Sequence, residues 1–67
     1  MVTVNVNETE IEIEENSTIL QLLNQINTSS NGIAVAINNH IIPGNTWESQ
    51  LVNQNDNILI IKATQGG

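Results

Sequence analysis

Only one stretch of this chain repeats its apolar side chains at the helical period. Ile19, Leu22, Leu23 and Ile26 fall at i, i+3, i+4 and i+7, and Leu20 widens the stripe. Every other apolar run alternates or is short. Val2, Val4 and Val6 interleave with Thr3 and Asn5, while Ile11 and Ile13 interleave with Glu10, Glu12 and Glu14. This predicts two half-buried strands, turned by Asn7, Glu8 and Thr9, with the glutamates on the solvated face. Ser17 or Asn16 is the expected helix N-cap, and residues 27–32, small and polar with Gly32 at the end, stop the helix. Residues 33–37 then form a strand apolar at every position. Asn38-Asn39 turns it into a short extension over residues 40–42, which Pro43-Gly44 breaks. A helical turn over residues 45–49 drops Trp47 onto the core, Asp56 supports a polar turn, and residues 58–61 make the last strand.

A lone amphipathic helix that follows a hairpin has to cover one face of a sheet, giving a two-layer α+β domain. If the last strand returns parallel to the first, the sheet is mixed and the helix becomes the crossover. That is the β-grasp architecture of ubiquitin-like proteins, with one main helix packed on one face. Sixty-seven residues allow one domain, 1–67, expected to end in a flexible Gly-Gly tail over about residues 64–67.

Charge and composition narrow the function. Seven acidic residues against one basic residue give a formal net charge of −6. With Lys62 as the sole Lys or Arg, no basic patch exists to neutralise phosphates, so nucleic acid and anionic membranes are excluded as partners. A basic groove on a partner protein suits such a body better. Cysteine is absent, which removes thiol chemistry, disulfides and the usual zinc ligands. Residues 1–4 offer no positive n-region and no long apolar run, so no signal peptide or membrane span is expected and the location is read as cytoplasmic. His40 is the only histidine, and no Ser-His-Asp set, phosphate loop or acid pair accompanies it. Catalytic residues, bound metal and bound cofactor are therefore all read as none.

Two features exceed what folding needs. A helix covers one sheet face only, so the four aliphatic residues of the last strand cannot all be buried. Either Ile58 and Ile60 point inward and Leu59 and Ile61 outward, or the reverse; the outward pair, taken as Leu59 and Ile61 beside Ala34 and Ala36, is a candidate partner interface. The second feature is Gly66-Gly67. Two residues without Cβ can thread a narrow channel and let backbone approach a catalytic centre closely. The terminal carboxylate is a poor electrophile until activated. Adenylation with ATP would make it a mixed anhydride open to a sulfur or nitrogen nucleophile, with every catalytic group supplied by the partner.

Residues 35–38 (Val-Ala-Ile-Asn), Ile42-Pro43, Trp47, Asp56-Asn57-Ile58 and Gly66-Gly67 together resemble the ThiS family of sulfur carrier proteins in thiazole formation for thiamine. The resemblance spans essentially the whole chain, and the Pro43-to-Trp47 spacing is its most specific part. It implies that a ThiF-like adenylyltransferase, using ATP and magnesium, activates Gly67. A sulfur donor system then converts it to a thiocarboxylate, which is donated to a ThiG-like thiazole synthase. Gly66 and Gln65 would be the tail inserted into both partners. The chain departs from the family pattern at Gly44, where many members carry Arg, and at Gln54-Asn55-Asp56, where they carry Asp-Gly-Asp. The residues themselves leave three other readings open: a carrier like the small subunit of molybdopterin synthase, a ubiquitin-like modifier or docking module, and a β-grasp module with an inert tail.

Overall fold

In the computed structural model, which describes residues 1–62, the valine alternation becomes β1 (Val2–Val6), paired antiparallel with β2 (Thr9–Ile13). Val6 lies opposite Thr9, so the hairpin loop is the two residues Asn7 and Glu8, with φ of 49° and 70°. Paired left-handed residues make the turn whose twist matches the strands it joins. Asparagine tolerates that region; glutamate meets its own carbonyl through Cβ. Replacing Glu8 by Gly is therefore expected to raise stability by about 0.5 kcal/mol, the relief of strain exceeding the added unfolded-state entropy. Thermal unfolding should move up by about 2–4 °C, and a fall would show that the Glu8 side chain contributes more than its strain costs.

The helix, α1, spans Ile19–Gln25 and buries Ile19, Leu22 and Leu23. Its N-cap is Thr18, one residue beyond Ser17 and two beyond Asn16, the expected caps. Thr18 Oγ1 accepts from the Gln21 N–H at 3.2 Å, and Gln21 Oε1 accepts from the Thr18 N–H at 2.9 Å, a reciprocal capping box. Ser17 is drawn away because it is buried and its hydroxyl donates to the Glu14 carbonyl at 2.7 Å. The next free donors of the helix are met by a distant loop: Ile19 N–H donates to Gln50 O, and Leu20 N–H to Trp47 O. No orphan donor is left in the first turn. Leu20 does not widen the buried stripe as expected. It is 39% exposed, since it sits on the flank that turns toward this loop and not toward the sheet.

The second half holds β3 (Ile33–Ile37), β4 (His40–Ile42), a single 3-10 turn at Gly44–Thr46 and β5 (Asn57–Lys62). Asn38 and Asn39, with φ of 50° and 72°, repeat the two-residue turn of the first hairpin. Trp47 follows the 3-10 turn and is buried, with its indole N–H donating to Ile42 O at 2.9 Å. The Pro43-to-Trp47 spacing that carries the family resemblance is thus a packing latch. Thr46 bonds back to Pro43 O through both its N–H and its hydroxyl, which closes the turn and swings the indole inward. Asn55 has φ of 68°, so the residue that stands where relatives carry Gly takes the left-handed conformation that Gly would.

The sheet order is β2-β1-β5-β3-β4, with β5 parallel to β1 and antiparallel to β3. The mixed five-stranded sheet with one helix is the β-grasp arrangement predicted above. Inward residues of all five strands meet α1, Trp47 and Val52 in one cluster, including Val4, Ile13, Val35 and Ile58.

Candidate functional site

The register decides what the uncovered sheet face presents. Ile37, Val35 and Ile33 of β3 lie opposite Ile58, Ile60 and Lys62; Ile37, Val35, Ile58 and Ile60 belong to the core, and Ile33 packs partly buried against it. The alternate pairs, Ala36 with Leu59 and Ala34 with Ile61, must then point outward. Leu59 is 49% exposed and Ile61 is 48% exposed, in line with their outward placement. The two alanines expected beside them are in register with them, and Ala36 is shaded by its larger neighbours.

A third aliphatic completes the patch. Ile41 pairs with Ala36 from the β4 side and is 65% exposed, the most open aliphatic of the sheet. Sequence reading did not single it out. The signal was present in Ile41-Ile42, because adjacent residues of a strand face opposite ways and only one could be buried. Ile42 is that one, partly buried against the core.

Across the same face the chemistry changes sign. Val4 opposite Ile11 and Val2 opposite Ile13 face the helix, so Glu10 and Glu12 of β2 share the outer face with Thr3 and Asn5. The open face is therefore aliphatic over β5, β3 and β4, and anionic along its β2 edge. Lys62 alternates with Ile61 and leaves from the other side. One carbonyl of the β2 edge is covered: Gln25 Nε2 of the helix donates to Glu12 O at 3.0 Å.

The start of β5 is pinned by side chains. Asp56 Oδ2 accepts from the Asn53 N–H at 2.8 Å, and its other oxygen accepts from Asn38 Nδ2 at 3.1 Å, so Asp56 supports the turn as expected. His40 is exposed, with Nδ1 3.1 Å from Asn38 O. Among the described residues no group of three or more His, Asp or Glu side chains gathers as a metal site, and no helix is long and apolar enough to cross a membrane. Gln65, Gly66 and Gly67, the residues expected to enter a partner, lie outside the described residues.

Comparison with known proteins gives one consistent picture. The model of the ThiS family matches residues 2–67. Over 61 residues the chain is 31% identical to the sulfur carrier protein ThiS of Escherichia coli K12, covering 91% of this chain and 92% of that one. Its fold matches the crystal structure of a thiamine biosynthesis protein, ThiS, from Geobacter metallireducens with a TM-score of 0.84, at 16% identity, over 98% of this chain and all of that one. A solution structure of a thiamine biosynthesis protein from the same organism gives 0.76, again at 16% identity, over 98% of this chain and 88% of that one.

Proposed function

The chain belongs to the ThiS family, and from that premise we propose that it works as a sulfur carrier protein in thiamine biosynthesis, a protein substrate and not an enzyme. The observation that carries the reading is similarity along the whole chain, which includes the Gly66-Gly67 end. The Gly67 carboxylate attacks the α-phosphorus of ATP, pyrophosphate leaves, and an acyl adenylate forms. A persulfide sulfur then adds to the acyl carbon and AMP departs. A second thiol cleaves the resulting S–S bond, becoming part of a disulfide and freeing the thiocarboxylate. ATP and magnesium enter with a ThiF-like adenylyltransferase, sulfur comes from a separate donor system, and a ThiG-like thiazole synthase consumes the product. The absence of cysteine fits this division of labour. A carrier with no thiol has only its terminal carboxyl carbon on which to hold sulfur. Chemistry that runs on persulfides and free thiols belongs in a reducing cytoplasm.

The open face supplies the grip. Leu59 and Ile61, joined by Ile41, present aliphatic surface that folding leaves uncovered, and such surface is commonly buried against a partner. With Gly66 carrying no side chain and Gln65 no charge, the tail can follow into a narrow active site while the face docks. The test is the intact mass of the protein purified from its native cell during thiamine-free growth. Replacement of one oxygen by sulfur, localised to Gly67 by fragmentation, is expected. Lysine-linked conjugates without that species would mark a modifier instead and overturn the carrier assignment.

A further inference from the structure

The parallel pairing of β1 with β5 is short. It consists of Asn5 with Asn57 and Val6 with Ile58, and then β1 turns away at Asn7. Beyond Ile58, β5 keeps a backbone neighbour on one side only, β3, which runs with it as far as Ile33 opposite Lys62. On the other side a single side chain takes over. Asn7 N–H makes the last backbone contact, to Ile58 O at 2.9 Å. Its Oδ1 then accepts from the Ile60 N–H at 2.8 Å, and its Nδ2 donates to Ile60 O at 3.2 Å. The side-chain amide behaves as one more peptide unit of the missing strand.

We propose that Asn7 is a positioning residue for the reactive end: it holds the second half of β5, and so fixes the strand, through Lys62, from which the terminal residues are presented to a partner. The proposal rests on the carrier reading above. Few residues could do this. The position needs φ near 49°, which asparagine tolerates and most residues do not. It also needs a donor and an acceptor side by side, which an amide has, a carboxylate lacks and glycine lacks altogether. The residue held, Ile60, lies between the two outward aliphatics Leu59 and Ile61. Releasing it loosens the docking patch and the root of the tail together. With this half of β5 held in fewer molecules, apparent affinity falls by the fraction that remains competent.

Asn38 supplies a matched control. It too is left-handed, at φ 50°. It too engages β5, accepting from the Asn57 N–H at 2.9 Å, but at the strand's beginning, away from the tail. The full chain would be compared with its Asn7→Gly and Asn38→Gly variants, each keeping left-handed freedom while losing the amide. Activation is read as pyrophosphate release with the adenylyltransferase and ATP, and amide exchange is followed at Ile60. Asn7→Gly should speed Ile60 exchange and raise the KM for the carrier by about threefold to tenfold at nearly constant kcat. Asn38→Gly should lower Tm to a similar extent and leave KM unchanged. Equal KM in both variants, or an unchanged KM in Asn7→Gly despite faster exchange, overturns the proposal. If Asn7→Gly does not fold, Asn7→Asp keeps the acceptor for the Ile60 N–H but sets a carboxylate oxygen against Ile60 O, and should also raise KM; no rise overturns the proposal. If the unaltered chain is not activated at all, the carrier reading falls and this one with it, a result distinct from any difference between variants.

Discussion

Deleting Gly67 is expected to abolish AMP-linked activation while leaving the fold intact. The loss should reach about a hundredfold or more, because one residue shortens the reach of the chain by about 3.3–3.6 Å, and a misplacement of about 1 Å at a reacting centre already costs two orders of magnitude. The shortened chain still ends in a glycine carboxylate, Gly66, so the chemistry of the end is preserved and only its position changes. The described core lies between Val4 and Ile60, so thermal unfolding should be unchanged. Pyrophosphate release with the adenylyltransferase measures the first effect and a melting curve the second. Activation at the original rate would remove Gly67 from the mechanism.

A contrast between neighbours in β5 should produce the largest change in stability. Ile58 is 1% exposed and sits at the centre of the sheet, with β1 on one side and β3 on the other. Replacing it by Ala removes buried methylene groups and opens a cavity under α1, at a cost of about 2–5 kcal/mol. A domain of this length has only about 3–10 kcal/mol in total. Tm should therefore fall by at least about 10 °C, and the upper end of the range unfolds the protein outright. Leu59, the next residue, points the other way and is half exposed. Leu59→Asp should cost less than about 1 kcal/mol of stability and weaken partner binding by about tenfold or more, as the loss of a central apolar contact does. If Leu59→Asp unfolds the domain as Ile58→Ala does, the open face is not free and the docking assignment is wrong.

Periodicity made most of this molecule legible. The switch from alternation in residues 2–13 to a helical stripe in residues 19–26 defined the hairpin and the helix, because each period matches one backbone geometry. Counting layers requires two of the four aliphatics at residues 58–61 to face outward, and the register with β3 decides that they are Leu59 and Ile61. Local features that depend on distant contacts were harder to see. Thr18 caps the helix, and not Ser17, because Ser17 is buried and bonded to Glu14, and because residues 47–52 dock on the helix start. The Thr18-x-x-Gln21 spacing was nonetheless readable as a capping box. Ile41 escaped notice because three strand residues are too few to show a period. Asn7 read as an ordinary turn former. Its partner Ile60 lies 53 residues away, and nothing near Asn7 in the sequence announces it.

The position of β5 also bears on how the protein is made. Of the five described strands, the one at the centre of the sheet is the last in chain order and so the last of them to leave the ribosome. Until it emerges, the β1–β2 and β3–β4 hairpins have no strand between them, and their inward valines and isoleucines cannot be enclosed. Contacts between segments this far apart in the chain form late and slowly. A prematurely terminated chain is therefore an unfolded one, open to proteolysis before it can occupy a partner. Every folded molecule has been translated through Lys62, within five residues of Gly67. The fold itself screens against carriers that stop short of β5.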